Sequence, residues 1–328
     1  MPKELTHWHV AGRALAQIPD NLAGRLIQAY PALYYLGATA HDTAFYDLSR
    51  PAEASLERVG NLLHGVNGEN TLVPLIDMLT KALLQEQPEP LLSFVLGMLT
   101  HYLADSTFHP FVYYFSGNYF DEDPEKRAKA VFRHRLLETA LDAWFGTVDP
   151  MEYPHNLALL WRECGADGRR ALTLLIDRYA YAGDRDTVAH FKQAWRNHRL
   201  LQAAFRWSVP WRLLDVYRRF GHPGVEKIEA LFYPQPLDLS IFQDSLVWRH
   251  PVSGEEQAAT IHEIFLASVT KVVELFSWLG SQACASWPGL LRELPPLSLD
   301  TGLAYVPVAE MRYFYGEPIE SKLRAKSN

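Results

Sequence analysis

The run LLSFVLGMLTHYLADSTFHPFVYYF, residues 91–115, restricts the fold more than any other part of the chain. A helix of this composition is apolar on every side and has to lie inside the protein, yet it carries His101, Asp105 and His109 at four-residue intervals. A buried carboxylate needs a counter-charge or a metal. The most apolar stretch, 91–99, has nine residues before Thr100 and His101, too few to span a bilayer.

Elsewhere apolar residues recur at three- and four-residue intervals, and the alternating runs that mark strands are scarce. The chain therefore reads as all-α, a multi-helix bundle with an interior metal cluster. Helices are expected over 8–17, 21–36, 54–64, 70–85, 90–106, 124–144, 156–163, 167–181, 186–205, 209–220 and 254–280. Asp123 and Pro124 supply a cap and first-position pair, and Pro110 reads as an end or kink after His109. With no repeat and no flexible linker, one helical domain over 1–286 is expected, with a ligand-bearing half over 1–145 and supporting helices over 150–286. Pro288, Pro295, Pro296 and Pro307 make 287–328 an irregular C-terminal wrap ending in the basic KLRAK.

A formal net charge of -7 argues against a duplex nucleic-acid partner held by bulk charge. Cys164 and Cys284 stand far apart without a partner motif, so neither a disulfide framework nor a thiolate zinc site is indicated, which leaves any metal to His and carboxylate ligands. The N-terminal MPKELTHWHVAGRAL lacks the apolar core of a signal peptide. The expectation is a cytoplasmic protein without a transmembrane segment, with peripheral membrane contact left open.

Seven of the thirteen histidines precede residue 140: His7, His9, His41, His64, His101, His109 and His134. In His101/Asp105 and His134/Glu138 a histidine and a carboxylate stand four apart, about 40° around a helix axis, and so point the same way. That spacing chelates one ion from a helix facing the bundle interior. A single such pair is more often a surface ion pair; two within 40 residues, one inside an apolar run, favour a metal centre. Asp142 continues the His134 face and can back a ligand there. His41 reads as a support for Asp42, a substrate contact or an ordinary loop histidine. His155, His190, His198, His222 and His262 lack partners at chelating spacing and read as structural or solvent-facing. The aromatics from Phe111 to Phe120 read first as core and second as the wall of a lipid cleft, and Arg249 as part of a structural turn paired with a carboxylate.

GMLTHYLADSTFHPFVYYFSG followed by HRLLETALD resembles the zinc-dependent phospholipase C family, in the superfamily that also holds zinc-dependent single-strand nucleases. Upstream, THWHVAGRAL, GATAHD and LLHG resemble further family segments in the same order and spacing, over the first 145 residues. The resemblance implies a first zinc held by Asp42, His64, His101 and Asp105, and a second held by His109, His134 and Glu138. It implies a third at His7 with a bridging Asp105. In the secreted phospholipases the third zinc also takes the amine and carbonyl of a processed N-terminal tryptophan, whereas six residues precede His7 here. The Asp105–His109 gap is two residues shorter than in those enzymes. It matches the broader branch that includes the domain of glycosylphosphatidylinositol-specific phospholipase D.

The resemblance thus implies a zinc-dependent phosphodiester hydrolase with two or three zinc ions, Asp42 as the group assisting deprotonation of water, and a phospholipid or other small phosphodiester as substrate. Two other readings stand beside it: a metal-stabilised helical binding or scaffold protein without turnover, and a nuclease-like phosphodiesterase.

Overall fold

The computed structural model describes residues 3–48, 56–148, 156–177, 185–220 and 224–323. It is mostly helical, as the periodicity predicts. In order the helices are α1 (Glu4–Leu15), α2 (Leu22–Ala29), α3 (Pro31–Ala40), α4 (Glu57–His64), α5 (Leu72–Leu83), α6 (Glu89–Ser116) and α7 (Pro124–Val148). Then follow α8 (Leu157–Asp177), α9 (Arg185–Ala204), α10 (Ser208–Arg219), α11 (Glu226–Glu229), α12 (Ile261–Gly280), α13 (Trp287–Arg292) and α14 (Glu320–Leu323). A short antiparallel hairpin, β1 (Leu246–Arg249) and β2 (Glu256–Ala259), pairs Leu246 with Ala259 and Arg249 with Glu256.

The apolar run forms α6, the axis of the molecule, with α3, α5, α7 and α12 packed around it. Its residues are buried nearly throughout, which follows from having no polar face to turn outward. The closest approach is to α3, at facing glycines. A Cβ on Gly97 would stand 2.0 Å from the Tyr34 carbonyl oxygen, and one on Gly37 would stand 2.1 Å from the Phe94 carbonyl oxygen. Interaxial distance depends on the side chains at the crossing, and here two missing side chains let the backbones touch.

Several boundaries depart from those expected. The helix over 21–36 is two helices, broken at Tyr30 (φ -134, ψ 57) with Pro31 opening α3; a residue before proline is steered out of the α region, and proline suits the first helical turn. Pro110 neither ends nor breaks α6, which continues to Ser116. The Ser106 carbonyl that Pro110 cannot serve is packed by Gly302, where a Cβ would stand 2.5 Å from that oxygen and 3.1 Å from Pro110.

The helices over 156–163 and 167–181 form one run kinked at Gly165 (φ 52), described as far as Asp177. The start of the 254–280 helix is instead turn and strand β2, and α12 begins after Thr260, whose side chain and that of Glu263 form a reciprocal capping box. The C-terminal wrap is irregular except for α13, a 3-10 turn and α14, and it supplies Trp287, Leu291, Leu299, Ile319 and Leu323 to the core around α6. Residues 54 and 55 of the expected 54–64 helix, His155, His222 and most of KLRAK lie outside the described residues.

Among the described residues no single helix is long and apolar enough to cross a membrane; α12 with 284–292 passes only as a pair bent by 112°. Trp248 is buried with its ring 5.9 Å from that of Phe111, and the exposed Arg249 reaches Glu256 across the hairpin at 3.6 Å.

The α3–α6 crossing makes a direct prediction. Gly97→Ala should lower unfolding stability by about 3 kcal/mol through overpacking against backbone, measured by urea titration. Gly146→Ala, in α7 with nothing within 4 Å of the new methyl, should be neutral or stabilising by up to about 1 kcal/mol. Equal effects at the two positions would refute the account of the crossing.

Candidate metal centre

Two groups of side chains converge at the middle of α6. Asp42, His64, His101 and Asp105 form one and His109, His134 and Glu138 the other; within each group, ligand atoms lie no more than 4.8 Å apart. All seven residues are buried. His101, Asp105 and His109 come from successive turns of α6, and His134 and Glu138 from one face of α7. His64 is the last residue of α4, where Gly65 in the left-handed region (φ 71) reverses the chain. Asp42 lies in the 3-10 turn His41–Tyr46 that continues α3.

Asp105 joins the groups. Its Oδ2 is 3.0 Å from His101 Nε2 and 3.5 Å from His64 Nε2, while its Oδ1 is 3.3 Å from His7 Nε2 and 3.9 Å from His109 Nε2. Asp42 Oδ1 lies 3.4 Å from His101 Nε2 and 3.5 Å from His64 Nε2. In the second group His134 Nε2 is 2.9 Å and His109 Nε2 is 3.9 Å from Glu138 Oε1.

The histidine tautomers decide what can sit among these atoms. His64 Nδ1 donates to the Gly60 carbonyl at 2.8 Å, His101 Nδ1 to the Ala38 carbonyl at 2.9 Å and His109 Nδ1 to the Leu299 carbonyl at 2.8 Å. A carbonyl oxygen only accepts, so Nδ1 carries the proton and a neutral ring presents a lone pair at Nε2. Lone pairs aimed at carboxylate oxygens across 3.0–3.5 Å repel unless a cation stands between them. The Nε2 atoms of His64, His101 and His109 and both Asp105 oxygens have no hydrogen-bond partner. Tetrahedral zinc with bonds of about 2.0–2.1 Å sets its ligand atoms about 3.4 Å apart, and the four imidazole–carboxylate separations of the first group, 3.0–3.5 Å, are close to that spacing. An N–H held by a backbone carbonyl opposite the coordinating nitrogen is also the usual support of a metal-binding histidine.

The electrostatics of the unliganded cluster agree. Burial would push the Asp105 carboxyl up, but the surrounding His101, His109 and His7 outweigh it and hold it well below the usual range. Burial also opposes charge on His64, yet its contacts with Asp105 and Asp42 lift it to about 10. For His109 and His134 burial wins, and both fall well below the ordinary value.

The remaining sequence-predicted residues divide clearly. His7, on α1, stacks on His101 with centroids 4.1 Å apart and reaches Asp105. Its helix start is tied down by Asp142, which accepts from the Leu5 and Thr6 amides, the Thr6 hydroxyl and the Tyr233 hydroxyl. His9 sits against Phe145 instead. His41 is no surface residue: it is buried and stacked 4.5 Å from His101 at 5°, and burial together with the neighbouring His101 and His64 lowers it well below the ordinary value. His198 is buried, with Nε2 2.9 Å from Glu4 Oε1 and Nδ1 3.2 Å from the Thr43 hydroxyl, beside Asp42. His190 approaches Asp47 at 3.9 Å, and His262 is exposed.

Sequence reasoning missed Asp300. This carboxylate from the C-terminal wrap is buried, lies 3.4 Å from His109 Nδ1 and accepts from the Tyr113 hydroxyl at 2.9 Å. Burial raises it to about 6. Its neighbour Leu299 grips both groups at once, accepting from His109 and donating its amide to the His64 carbonyl at 2.8 Å. Nothing in an irregular proline-rich stretch marks it as part of the centre.

Fold and site together define a helical bundle with an interior histidine and carboxylate centre suited to zinc. Residues 6–207 match the zinc-dependent phospholipase C family, and the chain belongs to that family. The match includes all eight predicted ligands and stops short of both α10 and Asp300. No curated protein and no solved structure matches the chain.

Two outcomes are expected. Asp300→Asn should weaken metal retention at the His109 group by about tenfold or more, read as zinc content after chelator competition, with the first group unchanged. Acid stability tests the buried support of α1. Burial pushes the Glu4 carboxyl up, but the hydrogen bond and charge of His198 overcome it and hold it at about 2. A depressed carboxylate stabilises fully above its unfolded value of about 4.5 and loses that contribution as pH falls toward about 2. Between those pH values wild type should lose up to about 3 kcal/mol more than Glu4→Gln, measured by urea unfolding at each pH.

Proposed function

We propose that this protein is a zinc-dependent phosphodiester hydrolase of the phospholipase C type, with a phospholipid or related phosphodiester as substrate. The observation that carries this reading is the set of three imidazoles held by backbone carbonyls with their Nε2 lone pairs facing Asp42, Asp105 and Glu138. In this reading Asp42, His64, His101 and Asp105 hold one zinc and His109, His134 and Glu138 another, with His7 and Asp105 available to a third.

Zinc, when bound, supplies Lewis acidity toward a phosphoryl oxygen and makes a water acidic near neutral pH. The chain's own residues do the rest. Asp105 fixes the spacing of the groups by offering one oxygen to each. The Gly60, Ala38 and Leu299 carbonyls hold the imidazoles against rotation, so that little reorganisation is left for the reacting state. Asp42 is assigned to take up the proton of the attacking water. The second group would hold a zinc through His109, His134 and Glu138, with Asp105 shared between the groups.

A second reading, a metal-stabilised scaffold without turnover, draws support from the burial of every ligand, since structural sites are closed. One experiment separates them. Metal content by plasma mass spectrometry should give two or three zinc per chain in wild type, with distinct losses in Asp105→Asn and Glu138→Gln. Hydrolysis of a short-chain phosphatidylcholine should fall by about a hundredfold or more in both variants. Zinc retained without hydrolysis of any phosphodiester would establish the scaffold instead; a folded wild type that neither holds nor rebinds zinc would sink both.

A further inference from the structure

Helix α10, just beyond the end of the family match, turns an apolar face to solvent. At 100° per residue, positions 209, 213, 216 and 220 fall within about 60° of one another. Val209, Leu213 and Val216, together with the capping Phe220, are between 49% and 78% exposed. Trp207 before the helix and Tyr217 at the edge of the stripe are 61% and 54% exposed. Isolated apolar residues on a surface are ordinary; six within fourteen residues, sharing one helix face and its N-terminal flank, form a patch that marks an interaction site.

The opposite side anchors the helix. Asp215 is buried and takes Arg218 and Arg219, and Arg218 also reaches Glu229 at 2.8 Å. Asp215 is thus the one acid of α10, and it is spent inside. Arg212 and Arg219 are exposed and lie along one edge of the apolar stripe. From Lys192 to Arg219 there are seven Lys or Arg and a single acid, in a chain of net charge -7. The segment that leads into and through the exposed apolar helix is thus basic in an otherwise acidic chain.

We propose that α10 docks this protein on an anionic lipid surface, with Val209, Leu213, Val216 and Phe220 entering the acyl boundary and Arg212 and Arg219 meeting lipid phosphates. An exposed apolar face flanked by arginine is the signature of a helix lying in the membrane interface. Trp207 and Tyr217 have the amphipathic rings that settle at headgroup level. The charge pattern argues against a second copy as the occupant, because a two-fold pairing of this face sets Arg212 and Arg219 against their own copies. The inference goes beyond the proposed hydrolase activity and stands without it.

The test is co-sedimentation of the full-length, zinc-loaded protein with vesicles of phosphatidylcholine alone or phosphatidylcholine mixed with phosphatidylserine. Wild type should bind the anionic vesicles about tenfold more tightly, and less so at high salt. Leu213→Asp with Val216→Asp should reduce that binding by about tenfold or more. Arg212→Glu should weaken the preference for phosphatidylserine; Arg219 is left in place because it also pairs with the buried Asp215. Circular dichroism and zinc content should stay at wild-type values in both variants, since the altered side chains face solvent.

The proposal is overturned if wild type does not bind anionic vesicles or if the aspartate variant binds them undiminished. It is equally overturned if the variant instead abolishes a concentration-dependent dimer seen by sedimentation velocity. Binding is scored without turnover, so a protein that docks on vesicles yet hydrolyses no phosphodiester refutes the proposed activity and leaves the docking face standing.

Discussion

The interaction on which the rest of the structure depends is the one between Asp105 and the imidazoles around it. A carboxylate at the centre of an apolar helix carries a desolvation cost that dispersion and packing cannot offset. The fold therefore has to deliver positive charge to one point inside α6. It surrounds that point with imidazoles: His101 and His109 along α6 itself, His64 from the end of α4 and His7 from α1. Helix α1 packs against α6 directly, whereas α4 is held through the 3-10 turn His41–Tyr46 that carries Asp42.

Backbone carbonyls complete the arrangement. The Ala38 carbonyl that orients His101 belongs to α3, and α3 lies near enough to reach it because Gly37 and Gly97 let the two helices touch. The Leu299 carbonyl that orients His109 belongs to the C-terminal wrap, and the same residue's amide closes on the His64 carbonyl. A side chain at Gly97 or a displaced wrap would act on the metal centre without altering a ligand. Such support distinguishes a built metal site from a chance cluster of histidines, which has ligand atoms but nothing to stop the rings from turning.

The parts legible in the sequence are those whose physics is local. His101 with Asp105 and His134 with Glu138 announce themselves because a helix repeats its face every four residues, and the apolar run around the first pair places it inside. Asp42, His64 and His7 were reached through family resemblance, since no local rule connects them to α6. Asp300 was invisible because its role is set by where an irregular segment crosses the bundle, a matter of tertiary packing. Pro110 misled for a related reason. Its missing hydrogen bond is a local defect, but the Ser106 carbonyl it strands is packed by Gly302, almost two hundred residues away in sequence. The hairpin before α12 was hidden because four-residue strands on a half-exposed edge leave too short a pattern to read.

The residues that make the centre run from His7 to Asp300, nearly the whole chain. The first group draws on the 3-10 turn after α3, on α4 and on α6, the second on α6, α7 and the wrap, and Asp105 belongs to both. In the metal-free chain each group must neutralise itself by a different route. Protonation serves His64, which Asp42 and Asp105 hold charged, whereas His109 and His134 are driven neutral by burial. Charge on one side of Asp105 and neutrality on the other is an unbalanced state for a shared carboxylate. A cation at the second group would draw on Asp105 and Glu138 alike and relieve that imbalance. The two groups are therefore coupled through a single side chain, whose two oxygens face different sets of imidazoles.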